Sequence, residues 1–405
     1  LAPRLKNIET AVLTRRDGQD CSLDLAHATA LTNLVLKAFK DNLAISHASH
    51  LETVSIIRAG AVDFVINGAD LAKVHHLKLS LSHVANAEID ILASSVQQDY
   101  QTIELTLNHA AVTLGGSAMA ETLVIHAKGK GLNYLYFNQT DAQTLVSKIV
   151  IDGSGDLTLN RPAGLPDLVT IDASKATCAI TTVIDSPDLI LYKGSQGADN
   201  IKIVDIGGDS LHKALVSLGK GDDLISAISY TFNGDVIAVN GGAGHDTISL
   251  YGGMLHSDGM IRSVEEWDIG FASGIYHLAG SGAETVTYLN AASALSVLDG
   301  LQSGATLHFT SSQSFGVNVF LEGAAQSATD SLTIDLLATP NNDGNNPILL
   351  GSFTSGVSAP DLSRLTIISN SIGTSAENMI FLDSVGGQNN PLSLTIGGTH
   401  ALSVA

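Results

Sequence analysis

The chain has little cysteine, tryptophan or proline: 2 Cys, 1 Trp and 8 Pro in 405 residues. Two thiols cannot staple a fold of this length, so disulfides do not organise it. Cys21 and Cys178 fall several coils apart in the arrangement developed below, beyond the reach of a bridge, and both are expected as buried thiols. No run of 18 consecutive apolar residues occurs, which excludes a membrane-spanning helix, and no membrane insertion is expected. The chain starts at Leu1 without a basic, apolar and small-residue leader, and is expected to be a piece of something larger. Basic residues are scarce too. Lys and Arg number 20 against 40 Asp and Glu, and a net charge of −20 repels phosphate, so no nucleic-acid partner is expected.

Glycine is plentiful, at 39 residues, among many Ala, Leu, Ser, Thr, Val and Ile. That mixture suits short strands joined by tight turns better than helices. The acid is unevenly placed. Residues 1–150 hold 12 Lys/Arg against 14 Asp/Glu, a net of −2, which leaves 8 against 26, or −18, for residues 151–405. A surplus of that kind is either a solvating surface or a supply of oxygen ligands for a hard cation.

One phrase returns along the chain: an apolar residue, two polar or small ones, then alternating apolar positions. It reads Leu5-Lys-Asn-Ile8, Leu31-Thr-Asn-Leu34, Leu51-Glu-Thr-Val54, Leu71-Ala-Lys-Val74, Tyr100-Gln-Thr-Ile103, Ala120-Glu-Thr-Leu123, Val146-Ser-Lys-Ile149, Leu165-Pro-Asp-Leu168 and Ser186-Pro-Asp-Leu189. Later copies are Ile261-Arg-Ser-Val264 and Leu362-Ser-Arg-Leu365. Each is followed by a period-2 strand, a small-residue turn and a second short strand. Two strands and two turns in every stretch of roughly 20 residues describe one coil of an all-β, right-handed parallel β-solenoid, whose stacked coils bury a continuous apolar column. A pair of β-sandwiches also has short strands at such spacing, but no reason to restart the same phrase. A leucine-rich repeat would require an asparagine ladder and helical segments that the sequence does not show.

The acidic part carries the most specific motif. Gly241-Gly-Ala-Gly-His-Asp-Thr-Ile-Ser249 matches every fixed position of the calcium-binding nonapeptide GGxGxDxUx. Gly194-Ser-Gln-Gly-Ala-Asp-Asn-Ile-Lys202 keeps the fourth-position glycine, Gly197, and the aspartate, Asp199. Leu218-Gly-Lys-Gly-Asp-Asp-Leu-Ile-Ser226 loses only the first glycine, and Ala279-Gly-Ser-Gly-Ala-Glu-Thr-Val-Thr287 replaces the aspartate by Glu284. Glycines allow turns at φ > 0 that expose carbonyl oxygens, and the aspartate adds an anionic oxygen, which is what Ca2+ takes. The metal candidates are therefore Gly194, Gly197, Asp199, Gly219, Gly221, Asp222, Asp223, Gly241, Gly242, Gly244, Asp246 and Glu284. The first three motifs start at Gly194, Leu218 and Gly241, a nearly even spacing of one per coil, which predicts a column of aspartates on one edge. The fourth begins only at Ala279, and this longer interval predicts an inserted loop around Met254 to Met260 or an extra half coil. Gly and Asp also make ordinary turns, and one copy alone would decide nothing.

With its phrases such as Leu168-Val-Thr-Ile-Asp-Ala-Ser174 and its turn from Gly241 to Asp246, the chain resembles RTX-type surface-layer proteins and large secreted adhesins of Gram-negative bacteria. The resemblance implies secretion through a type I system, calcium-dependent folding outside the cell, and self-association into a surface lattice. It places the calcium role on Asp199, Asp223 and Asp246, with cell-surface polysaccharide or lipopolysaccharide as a further expected partner. Three segments are expected: solenoid coils over 1–190, calcium-binding coils over 191–290 and coils with longer loops over 291–405.

A carbohydrate-binding or carbohydrate-cleaving β-helix is the rival reading. Its acids would be Asp152, Asp156, Asp172 and Asp185 on successive coils, with Arg161 or Lys175 beside them, and Tyr134, Tyr136 and Phe137 could stack on sugars. No nucleophile motif accompanies them, so no enzyme is expected. The pair His47 and His50 could offer two metal nitrogens, but positions i and i+3 of a strand face opposite ways, and turn or surface histidines are the better account.

Overall fold

The computed structural model describes residues 5–14, 19–48, 50–61, 63–68, 76–93, 102–115, 120–138, 146–160, 165, 167–185, 189–205, 213–227, 236–251, 261–270, 274–289, 296–310, 317–322, 330–336, 348–350, 362–370, 378–382 and 393–404. Among these there is no helix. The strands pair in parallel with their equivalents one coil away, and the fold is a β-solenoid made of two compact units, Leu1–Lys220 and Gly221–Ala405.

In the first unit one ladder runs through Thr10–Thr14, Asn33–Lys37, Thr53–Ile57, His76–Ala93, Thr102–Gly115, Thr122–Lys128, Lys148–Gly153, Thr170–Ala176, Leu191–Lys193 and Lys213–Lys220. A second runs through Cys21–Asp24, Leu43–Ser46, Asp63–Gly68, the far halves of His76–Ala93 and Thr102–Gly115, then Asn133–Phe137, Leu157–Asn160, Ile180–Asp185 and Asn200–Asp205. Alternation sets the faces. Leu77, Leu79 and Leu81 stack on Ile103, Leu105 and Leu107 inside, while Lys78, Ser80, Glu104 and Thr106 stand outside. Each such buried leucine contributes roughly 1.5 to 3 kcal/mol, and the stack sums them along its length.

The repeated phrase proves to be a corner. Its first and fourth residues, such as Leu31 with Leu34 and Leu51 with Val54, are buried, except in the first copy, where Leu5 is half-buried and Ile8 exposed. Its second and third donate both backbone N–H groups to one carbonyl of the coil below: Thr32 and Asn33 to Glu9 O (3.0 and 2.9 Å), Glu52 and Thr53 to Thr32 O (2.9 and 3.0 Å). The copy from Leu71 to Val74 lies outside the described residues. Three copies sit out of register. Lys148 pairs with Thr170 and Thr170 with Leu191, so the equivalent corners are Leu168-Val-Thr-Ile171 and Leu189-Ile-Leu-Tyr192, each three residues later than the phrases that start at Leu165 and Ser186. Likewise Glu265 and Glu266 both donate to Asp246 O, which makes Val264-Glu-Glu-Trp267 the corner in place of Ile261–Val264.

The second unit has one ladder through Leu224–Ala227, Thr247–Tyr251, Glu266–Gly270, Thr285–Tyr288, Thr306–Phe309, Ser331–Leu336, Arg364–Ser369 and Ser393–Gly398. A separate sheet joins Gly274–His277, Ser296–Leu301, Val317–Leu321, Ile348–Leu350, Asn378–Leu382 and Leu402–Val404, and Val236–Ala243 pairs with Ile261–Arg262. Thr285, Thr306, Thr333, Thr366 and Thr395 form a column of outward rungs. The core here is aromatic: Trp267, Tyr276, Tyr288 and Phe309 are fully buried, with the last two rings stacked at 5.0 Å. Both cysteines are free. Cys178 is buried, and burial pushes its thiol up to about 11, whereas Cys21 is half-buried at the start of its strand and corrects the expectation of two buried thiols.

Candidate functional site

The glycine and aspartate motifs are turns between strands. Gly194 to Asp199 connects Leu191–Lys193 with Asn200–Asp205, and Gly241 to Asp246 leads from Val236–Ala243 into Thr247–Tyr251. Glycine is required where one turn lies on the next. Gly219 has φ +109, and a Cβ there would run into the Ser195 carbonyl oxygen. Gly244, at φ +145, would put a Cβ on the Gly221 carbonyl oxygen, while the Gly221 N–H donates to Ala243 O at 2.9 Å. Gly194 packs against the Leu218 carbonyl, Gly197 against that of Cys178 and Gly241 against that of Ser263, whereas Gly242 is exposed at φ +107.

The aspartates are turned into these corners. Asp199 is 1% exposed. Its Oδ2 accepts the Ser195 N–H (2.7 Å), and its Oδ1 accepts the Ser195 hydroxyl (2.7 Å) and the Ile180 N–H of the preceding coil (2.9 Å). In the second unit Asp246, also fully buried, accepts the Asp223 N–H of the preceding coil (2.9 Å) through Oδ1. Its own N–H donates to Glu265 Oε2 (2.8 Å), and the His245 N–H donates to Asp222 Oδ1 (2.9 Å). Asp246 Oδ2 is buried with no hydrogen-bond partner among the described residues. Burial raises both carboxyls above their usual range, against the pull of their backbone hydrogen bonds; Glu265 and Asp222 add to the rise at Asp246.

The register assembles four carboxylates. Leu224 pairs with Thr247, Thr247 with Glu266 and Glu266 with Thr285, so Asp223, Asp246, Glu265 and Glu284 precede equivalent rungs on consecutive coils. Glu284 is exposed and is tied to the column by its N–H to Glu265 O at 2.8 Å. The longer interval before the fourth motif thus holds one complete extra coil, because Glu266 stands midway between Thr247 and Thr285 and pairs with both. This corrects the expected half coil; Met254 to Met260, where a loop was the other expectation, lie outside the described residues. Glu265 is hidden in the sequence because its coil has no glycine turn, and the signal available is that halving the interval from Gly241 to Ala279 gives one coil length. No three His, Cys, Asp or Glu side chains converge to hold a metal among the described residues, so a cation here would need carbonyl oxygens as well.

The acids of the rival reading are not brought together. Asp152 and Asp172 lie on the first ladder of the first unit, Asp156 and Asp185 on or beside the second, and Arg161 lies outside the described residues. Asp172 is taken up by Ser174 (2.6 Å) and Lys193 (3.5 Å), and Asp156 accepts the Ala179 N–H (3.1 Å). His47 is 2.8 Å from Asp24, a partner other than a shared ion with His50. Tyr134 and Tyr136 face outward with rings nearly parallel, and Phe137 is buried in the core.

A cluster that the sequence did not reveal crosses the outer face. Asp152 is 2.5 Å from His126 Nδ1, His126 Nε2 is 3.2 Å from Glu104, and Glu104 also meets His76 (2.9 Å) and Lys78 (3.1 Å). Burial would raise the Glu104 carboxyl, but the Lys78 and histidine partners outweigh it and hold it below its usual value near 4.5. A carboxyl lowered on folding stabilises above its unfolded value and loses that contribution as pH falls through its folded one. Glu104→Gln is therefore expected to cost about 1 kcal/mol at pH 7 and progressively less as the pH is lowered, read by urea unfolding at neutral and acid pH. Equal costs at both would show that packing, not charge, is lost.

Neither a protein-family model nor a curated protein matches the chain.

Proposed function

We propose that the chain is a structural segment of a secreted bacterial surface protein, an RTX-like β-solenoid that takes up Ca2+ at its glycine and aspartate turns and self-associates into a surface layer. The observation that carries this reading is the column Asp223, Asp246, Glu265 and Glu284, in which Asp246 keeps a buried anionic oxygen without a hydrogen-bond partner among the described residues. A buried carboxylate beside two other acids is unfavourable by itself, and a divalent cation bound to Oδ2 and to turn carbonyls removes that cost. Asp246 would be the central ligand, with Glu265 or Asp222 at its side. Asp199, with both oxygens in hydrogen bonds, suits a cap of its turn better than a primary ligand. Calcium at a hundred times its Kd stabilises by roughly 2.7 kcal/mol per site, so a weak site would leave the chain loose at cytosolic calcium, ready for type I export, and firm outside.

The test is a calcium titration followed by circular dichroism and light scattering, reversed with EGTA. Calcium is expected to raise the Tm and drive ordered assembly, and the double variant Asp223→Ala/Asp246→Ala to lose both responses. A chain that unfolds identically with and without calcium, and stays monomeric, sinks the proposal.

A further inference from the structure

We propose that the first unit carries a binding site for a carboxylated polysaccharide, formed by a column of basic turns and two outward tyrosines.

Five strands of its first ladder reach their bend in register, Lys37 beside Ile57, Ile57 beside Ser82, Ser82 beside Asn108 and Asn108 beside Lys128, three of them ending there and His76–Ala93 and Thr102–Gly115 bending through. The next residue on every coil, Ala38, Arg58, His83, His109 or Gly129, has positive φ, so the chain turns by the same bend on each. The turns that follow carry Lys37, Lys40, Arg58, Lys128 and Lys130, with His83 and His109 between them, and all seven side chains are exposed. Asp41 is the sole carboxylate within these turns among the described residues. None of the five Lys and Arg of this column has an ion pair among the described residues, as is also true of Lys148 and Lys175, whereas Lys78 and Lys193 are paired with Glu104 and Asp172. Five cations on one edge, none with an ion pair among the described residues, make a local field opposite in sign to the chain's net charge of −20, which draws in anions.

The anion is a polymer of carboxylates for two reasons. Cations on the first, second and fifth of these coils, stacked about 4.8 Å apart with histidines on the two between, spread over a length that matches an extended chain of charged sugars better than a single ion. Backbone N–H groups that could build a nest around a phosphate are already used at two of the bends: Ala38 N–H goes to Ile57 O and Arg58 N–H to Ser82 O, both at 2.9 Å. The sugar follows from the end of the column. The turn from Lys128 to Asn133 runs straight into the strand that presents Tyr134 and Tyr136, whose ring planes lie within 9° and centroids 6.4 Å apart, next to Leu132 at 53% exposure. Such rings offer apolar faces to the C–H faces of a pyranose. The turn is held in place from within. Asn133, fully buried, donates to Lys128 O and Asp156 O (3.2 Å each) and accepts the Ala110 N–H (3.3 Å).

The experiment measures binding of the whole chain to polygalacturonate, with neutral dextran and polyphosphate as comparisons. Polygalacturonate is expected to bind with an affinity that falls as salt rises, and dextran far more weakly. Lys128→Glu/Lys130→Glu and Tyr134→Ala/Tyr136→Ala are each expected to weaken binding about tenfold or more, and Tyr134→Phe/Tyr136→Phe to retain it. Lys128, Lys130 and Tyr136 are exposed and Tyr134 is half-buried, and unchanged circular dichroism shows that the variants keep the fold. The proposal is overturned by any of four results: no binding by the unaltered chain; binding indifferent to both variant pairs; polyphosphate bound as well and without regard to the tyrosines, which is plain polyanion exchange; or lysine changes that alter only association between copies.

Discussion

Valine in place of Gly244 is expected to destabilise the second unit by about 3 kcal/mol or more, enough to melt the stack around Thr247–Tyr251. Two costs combine. A side chain at φ +145 is strained in any surroundings, and here its Cβ would land on the Gly221 carbonyl oxygen of the neighbouring coil. That carbonyl cannot step aside, because Leu224 to Ala227 are pinned in register to Thr247 to Leu250. Gly280 supplies the comparison, since its φ is +72 but nothing lies within 4 Å of an added Cβ. Gly280→Ala should cost only about 1 kcal/mol, the backbone contribution alone. Urea unfolding of both variants reads the difference. Equal costs would mean that the turns do not stack as closely as described.

The fold was legible because a solenoid repeats its instructions. Leu31 with Leu34 and Leu51 with Val54 encode burial directly, and a phrase that marks a corner has to recur once per coil. Register was less legible. Leu165 and Leu168 are both buried, so the pattern fits equally well three residues early, and only the pairing of Lys148 with Thr170 chooses. The aspartates are marked by their glycines, and for that reason Glu265, on a coil that turns without glycine, was missed although it bonds the Asp246 N–H. Residues far apart in sequence that meet across coils, such as Glu104, His126 and Asp152, follow from register alone and leave no local trace.

Asparagine in place of Asp246 is expected to have opposite effects with and without calcium. In EGTA at pH 7 the natural side chain is a buried carboxylate whose Oδ2 finds no hydrogen bond among the described residues and whose neighbours include Glu265 and Asp222. Its folded-state pKa lies above the usual value near 3.8, chiefly through burial. The stability tied to the protonated form is therefore complete below that usual value and is lost as pH rises through the higher folded one. Asparagine has the same shape and no charge, keeps an oxygen for the Asp223 N–H, and should make the calcium-free chain more stable at pH 7 by about 1 to 2 kcal/mol, with no gain near pH 3. In millimolar calcium the order should invert, because the cation compensates the carboxylate and stabilises the natural chain while the amide holds it poorly. Thermal unfolding under the four combinations of pH and chelator decides the matter. A gain at pH 7 that persists in calcium would identify Asp246 as a strained turn residue and remove it from the proposed site; a loss in EGTA would show that its charge is already compensated within the folded chain.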